Sequence, residues 1–298
     1  MAEQITNNTK KNKIDAGHFA LAFLPFVVLL CIQTAVSMVP MIFAVFKMMQ
    51  DGTLRSINNP NDMTAAIMGQ LGDGFMWSLV VYAIISIITF FFWYKKLNGK
   101  NALKIDYKRT FSVKTVIAIV IIAISLNFAT SCFLGIVDHL IPSSMDNYNE
   151  MMNRAFGDAS VIPLALYGTF LGPIAEEMCL RAATIAHLKK SRCKMWVLLV
   201  VQAVCFGIIH LNLVQGLYAT VLGLILGIIA IKTGSVVPAI VTHIIYNIFG
   251  FFVTGYALEA IGDNFIAFVV VEVVAIVIAV IGYMLFRNTK PNYKTAQA

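Results

Sequence analysis

Apolar residues run through this chain in long blocks, with the polar positions gathered between them. The blocks fall at about 19–46, 75–94, 115–137, 161–186, 195–213, 214–231, 235–257 and 264–286, most of them near the roughly 20 residues a bilayer-spanning helix needs. The pattern predicts an all-α, polytopic membrane bundle of about eight transmembrane helices, since a helix satisfies its own backbone groups in hydrocarbon. The first block is long enough for a tilted helix with an interfacial extension. The pair 195–213 and 214–231 is divided only by Asn212, Gln215 and Gly216, and both members are short. Residues 1–18 and 287–298 read as tails around a bundle at 19–286, and no repeat or soluble domain stands out.

Composition agrees. The chain is 59% hydrophobic and 12% charged, with a mean hydropathy of +0.81, whereas soluble domains run near 25% charged. This excludes a secreted disulfide scaffold, a disordered chain and a water-soluble enzyme. Lys10, Lys11 and Lys13 with Ala35-Val36-Ser37 suit a cleaved leader, but the apolar run continues through Phe46, so a retained first helix is expected. The cysteines Cys31, Cys132, Cys179, Cys193 and Cys205 lie in or beside apolar blocks without a CxxC pair and read as small hydrophobes.

Charge gives orientation. The segments 1–18, 95–114, 187–194, 232–234 and 287–298 alternate correctly to share one side and hold 18 of the 22 Lys and Arg residues. The opposite loops, chiefly 47–74 and 138–160, hold Lys47, Arg55 and Arg154 together with acids such as Asp51, Asp62, Asp73, Asp146, Asp158 and Asp263. Basic loops remain in the cytoplasm, so a plasma-membrane protein with both termini cytoplasmic is expected. The net charge of +7 then belongs to the cytoplasmic leaflet and calls for no nucleic-acid partner.

Four charges fall inside the blocks: Glu176, Glu177, Arg181 and Glu272. An ionisable group at membrane depth faces protein or water and is a candidate for function. Glu177 and Arg181 stand four apart on one helical face and suit a pair. Glu176 points about 100° away and is left free for chemistry. Phe206 and His210 stand one turn apart in a later block, as do His243 and Asn247 in another. Gly172-Pro173 just ahead of the acidic pair removes a backbone donor and kinks the helix. Taken singly, the ion pair, each histidine and Asn247 read as packing groups or interhelical glue. Glu272 is isolated and reads as structural. Together, the polar groups on otherwise apolar helices point to one cavity.

The order Glu176-Glu177…Arg181, Phe206…His210 and His243…Asn247 resembles the EExxxR, FxxxH and HxxxN motifs of the CPBP family, the CAAX-protease and bacteriocin-processing (Abi, type II CAAX prenyl endopeptidase-like) intramembrane proteases. Gly234-Ser235-Val236-Val237-Pro238-Ala239-Ile240 also resembles the approach to the third motif. The likeness covers about residues 160–250. It implies a cavity open to the cytoplasm, Glu176 as the catalytic carboxylate, His210, His243 and Asn247 as its partners, and Glu177 and Arg181 as the supporting pair.

These residues suit peptide-bond hydrolysis. A desolvated Glu176 serves as general base and then acid, His210 orients the water, and His243 and Asn247 donate to the oxyanion. Zinc held by Glu176, His210 and His243 is the rival, since three such ligands make a catalytic site. Without HExxH, metal-independent hydrolysis is the favoured reading and no cofactor is required. At 1.5 Å per residue, Glu176 and His243 lie about 15 and 12 Å from the cytoplasmic edge. His210 comes out at about 22 Å, so its helix is expected to tilt strongly or start later than 195. The expected partners are the bilayer and a membrane-associated peptide or protein, with CAAX-prenylated substrates disfavoured by a composition that suggests a bacterium. The alternatives are a non-enzymatic scaffold in bacteriocin self-immunity or envelope regulation, and a small transporter, which usually carries a repeat.

Overall fold

The computed structural model describes residues 14–57, 59–99, 110–157, 160–255 and 265–287. The lysines of the N-terminal tail, the stretch 100–109, Asp158, the loop with Asp263 and the C-terminal tail lie outside the described residues. Among those described, every regular element is helical. In chain order they are α1 (Ala16–Leu21), α2 (Leu24–Gln50), a short turn of 3-10 helix (Thr53–Ser56), α3 (Pro60–Leu71), α4 (Asp73–Asn98), α5 (Val113–Leu140) and α6 (Pro142–Phe156). They continue as α7 (residues 161–190, in five stretches), α8 (Met195–Ile208), α9 (Leu213–Thr233), α10 (Val237–Phe252) and α11 (Phe265–Arg287).

Each apolar block forms a helix. Among the described residues, five helices are long and apolar enough to cross a membrane: Ala16–Gln50, Asp73–Asn98, Val113–Leu140, Leu213–Thr233 and Val269–Phe286. Helix α8 starts at 195 as expected but stops at Ile208 instead of 213. Its 14 residues reach only about 21 Å. His210 therefore lies in a turn at the helix end. Leu211 adopts a left-handed φ of 53° there, and Asn212 caps α9 by accepting from the Gln215 N–H at 3.0 Å. A short helix that turns back inside the bundle replaces the expected tilt. The α8–α9 hairpin closes tightly. A Cβ on Gly207 would lie 2.5 Å from the carbonyl oxygen of Gly216, so only glycine permits that approach.

The alternating chain sorts the charges to two ends. At the basic end, Lys190 Nζ donates to the carbonyl of Leu97 at 2.8 Å, and the N–H of Asp15 donates to Ser191 at 2.9 Å. At the other end, the N–H and hydroxyl of Ser160 both donate to Asp73.

A cavity of about 400 Å³ lies between these ends, and its walls decide where it opens. They come from the second half of α5 (Asn127 to Leu134), Tyr148 and Met152 of α6, the first half of α7 (Tyr167 to Glu176), the start of α9 (Gln215 to Leu222) and the second half of α10 (His243 to Phe251). All belong to the half of the bundle remote from the basic loops. Toward the basic end, Cys179, Leu180, Leu226 and Ala239 are fully buried and fill the interior. The packed core therefore separates the cavity from the end where Lys190 meets Leu97.

Helix α1 docks on the last turn of α7, beyond the apolar block. The Trp93 indole N–H donates to His187 Nε2 at 3.2 Å, and the His18 ring lies 5.8 Å from that of His187. Burial, aided by nearby His18 and Lys190, holds His187 below the usual histidine range. The docked state therefore resists a proton that the released imidazole accepts near pH 6.5. Docking is fully favoured above that pH and weakens as the pH falls through it. Hydrogen exchange of residues 16–21, corrected for intrinsic rate, is expected to accelerate between pH 8 and pH 5, and substitution of His187 by Gln should flatten the response.

Candidate active site

The backbone of α7 is irregular where the polar residues sit. Residues Ala165–Leu171 and Met178–Thr184 form π-helical stretches on either side of Gly172–Glu177. The N–H of Gly172 reaches the carbonyl of Tyr167, five residues back, and Ile185 does the same with Leu180. Such insertions are rare and gather at functional sites. The consequence here is concrete. A regular helix would join the Gly172 N–H to the Gly168 carbonyl; the π turn leaves that carbonyl available. It accepts instead from Asn247 Nδ2 at 2.7 Å, which ties α10 to α7. Pro173, with no N–H, further relaxes the ladder at this point. The expected disturbance at Gly172-Pro173 is present, as a π turn.

The two carboxylates have different surroundings. The side chains of Glu177 and Arg181 are both 0% exposed, and Arg181 Nη1 lies 2.9 Å from Glu177 Oε1. Glu176 retains 15% exposure and lines the cavity. The expected division of labour, one paired carboxylate and one free, is therefore visible in the packing. Arg181 is held from two further directions. Its Nη2 donates to the Gly223 carbonyl at 3.0 Å. Its guanidinium carbon stands 4.6 Å over the Phe206 ring, within cation–π range. Gln202, fully buried, donates to the same Gly223 oxygen at 3.0 Å.

Phe206 joins the motifs. Its ring meets His210 edge-on at 5.2 Å and His243 at 5.5 Å. His210 Nδ1 lies 2.9 Å from the Phe206 carbonyl. A carbonyl only accepts, so Nδ1 carries the proton and Nε2 remains an acceptor. His243 Nδ1 lies 3.1 Å from Glu177 Oε1, which likewise assigns that proton to Nδ1. The opposite ring nitrogen, Nε2, faces Glu176 Oε2 at 3.8 Å, a separation that one water or a small movement closes. Glu176, His210, His243 and Asn247 all line the one cavity; Glu177 and Arg181 sit behind it. Glu272 does not join them. It is buried on α11, and its carboxylate oxygens have no hydrogen-bond partner among the described residues.

The upper wall contains groups that spacing did not reveal. Asn127 donates to the Tyr246 carbonyl at 3.0 Å and accepts from Thr254. The Tyr246 hydroxyl donates to Thr130 at 2.8 Å, and the hydroxyls of Tyr148 and Tyr218 lie 3.3 Å apart. Asn127 in an apolar block was the available signal; the tyrosines look like ordinary interfacial residues.

Glu176, His210 and His243 offer the donor types zinc prefers. Among the described residues, however, no three His, Cys, Asp or Glu side chains are arranged to hold a metal ion. His243 is turned by its bond to Glu177, and His210 by its bond to the Phe206 carbonyl.

Replacing Arg181 by Met is expected to cost about 3–5 kcal/mol, because Glu177 is left buried and uncompensated. The double substitution of Glu177 by Gln and Arg181 by Met should recover much of that loss. Thermal unfolding in detergent measures both.

Residues 158–249 match the family model described as type II CAAX prenyl endopeptidase Rce1-like. The matched segment, under a third of the chain, includes every residue of the three motifs. Searches of curated proteins and of solved structures returned no match.

Proposed function

We propose that this membrane protein, which carries an Rce1-like domain of the CPBP and CAAX protease family, is an intramembrane endopeptidase acting through Glu176. The observation that supports this best is the contrast between the two adjacent carboxylates. Glu177 is neutralised by Arg181 at 2.9 Å, while Glu176 faces the cavity with His243 Nε2 at 3.8 Å.

In this reading a water sits between Glu176 and His210 Nε2. Glu176 takes one proton from the water as its oxygen attacks the scissile carbonyl carbon. The carbonyl oxygen becomes the oxyanion and accepts from the second N–H of Asn247, whose first N–H is anchored on Gly168. His243, held by Glu177 through Nδ1, turns its Nε2 toward Glu176 and the reacting carbonyl. Glu176 then returns its proton to the leaving amine as the C–N bond breaks. Preorganised donors in a water-poor site act strongly because they need no reorientation. Glu177, Arg181 and Phe206 act by positioning His243 and His210. The substrate is a membrane-associated peptide or protein, and no metal enters the steps.

Substitution of Glu176 by Gln should abolish cleavage while leaving the thermal transition in place; cleavage at the normal rate by that variant removes Glu176 from the mechanism. Turnover is expected to survive a strong chelator, and activity lost to the chelator and restored by zinc would overturn the metal-free scheme. Asn247→Ala should lower kcat by about 10²–10³, the effect of losing one oxyanion donor, with a smaller change in KM.

A further inference from the structure

We infer that Asn127 is a positioning residue for the proposed hydrolysis: it fixes α10 so that His243 and Asn247 present their side chains to the cavity. The role rests on the endopeptidase reading, whereas the grip on α10 rests on the fold alone. Asn127 belongs to α5, outside residues 158–249 that match the family model.

His243, Tyr246, Asn247 and Gly250 stand at i, i+3, i+4 and i+7, which makes one stripe along α10. The stripe is held on two sides. Toward α7, His243 Nδ1 meets Glu177 at 3.1 Å and Asn247 Nδ2 donates to the Gly168 carbonyl at 2.7 Å. Toward α5, Asn127 Nδ2 donates to the Tyr246 carbonyl at 3.0 Å, and the Tyr246 hydroxyl donates to Thr130 at 2.8 Å. The carbonyl that Asn127 takes belongs to the residue directly before Asn247. A rotation of α10 that carries the Asn247 amide off Gly168 therefore also has to break the contacts with α5.

Asn127 is buried, and both ends of its amide are used. The oxygen accepts from the hydroxyl of Thr254, just past the end of α10, and that hydroxyl also reaches the Phe249 carbonyl at 3.0 Å. One side chain of α5 thus links the turn carrying Asn247 to the exit of the same helix. A carbonyl has two acceptor sites, so Tyr246 can serve the helix ladder and Asn127 together.

The approach also depends on α10. A Cβ on Gly250 would lie 2.8 Å from Asn127 Nδ2, in the space the amide needs to reach Tyr246. Glycine weakens a helix interior relative to alanine; at this position it admits the clamp. Apolar contacts tolerate small slides, but hydrogen bonds near 3 Å weaken steeply as angle and distance change. Ordinary interhelical glue would hold α5 to α10 as well, and it would affect stability without acting through Asn247.

The test separates these two roles. It uses the full chain in detergent micelles and the peptide that the parent cleaves fastest in a panel of quenched fluorescent apolar peptides. Asn127→Ala should lower kcat by about tenfold or more with little change in KM, as expected for an interaction realised in the transition state. In an Asn247→Ala background the same substitution should lower kcat by less than about threefold, because the group it positions is gone. Gly250→Ala keeps Asn127 but displaces its amide. It should reproduce the loss alone and add less than about threefold to Asn127→Ala. Full multiplicative losses in these combinations, or a loss confined to KM, overturn the proposal. If Asn127→Ala does not accumulate, Gly250→Ala with and without Asn247→Ala makes the same comparison. Hydrogen exchange of residues 241–250, read without peptide, should accelerate by about tenfold or more in Asn127→Ala and in Gly250→Ala; unchanged exchange overturns the clamp. If the parent cleaves no peptide in the panel, the endopeptidase reading fails, and with it the catalytic role, while the exchange still decides whether Asn127 holds α10.

Discussion

A carboxylate and a guanidinium that are both fully buried in an apolar bundle must be matched to one another, because neither hydrocarbon nor bulk water is there to solvate them. The Glu177–Arg181 pair at 2.9 Å meets that constraint, and much of the interior is organised by it. Arg181 reaches α9 through the Gly223 carbonyl and α8 through the Phe206 ring. Glu177 reaches α10 through His243. Four helices are thereby held at one level by a few charge-assisted contacts, which are the strong kind in a low-dielectric interior. Gln202 reinforces the same point by sharing the Gly223 oxygen.

The candidate site follows from that anchor. Because Glu177 is committed to Arg181 and His243, its neighbour Glu176 is the carboxylate that meets the cavity. Because His243 gives its Nδ1 proton to Glu177, its other nitrogen is directed at Glu176. The π turn before Gly172 leaves the Gly168 carbonyl for Asn247, so the residue one turn beyond His243 is oriented as well. Irregular backbone at membrane depth is tolerated when it borders a cavity or other helices that satisfy it, and both conditions hold along α7.

The reading from sequence succeeded where the physics is local. Glu177 and Arg181 at a four-residue spacing had to meet on a helix, and they do. The separation of Glu176 from that pair followed from the 100° step per residue. The spacing also placed His243 and Asn247 on one face. It failed at the end of α8. The residues Ile208-Ile209-His210-Leu211 give no sign of a turn, and the left-handed Leu211 is not a residue that favours one. The apparent depth of His210 was a consequence of that missed boundary. The pairings of Asn127 and Tyr246 in the upper wall were not readable either, since Asn127 meets Tyr246 and Thr254, and Tyr246 meets Thr130, each more than a hundred residues away.

Hydropathy alone determined that this is a helical membrane protein, because a bilayer imposes a minimum apolar length and every helix satisfies its backbone by itself. The distribution of Lys and Arg separated the loops into two sets for an equally general electrostatic reason. Which half of the bundle holds the cavity was decided only by tertiary structure. It depends on how far along each helix the lining residues fall once α5, α7, α9 and α10 are packed together, and on which half of the bundle the buried side chains fill. Those are properties of packing between distant segments, which spacing within any one helix does not contain.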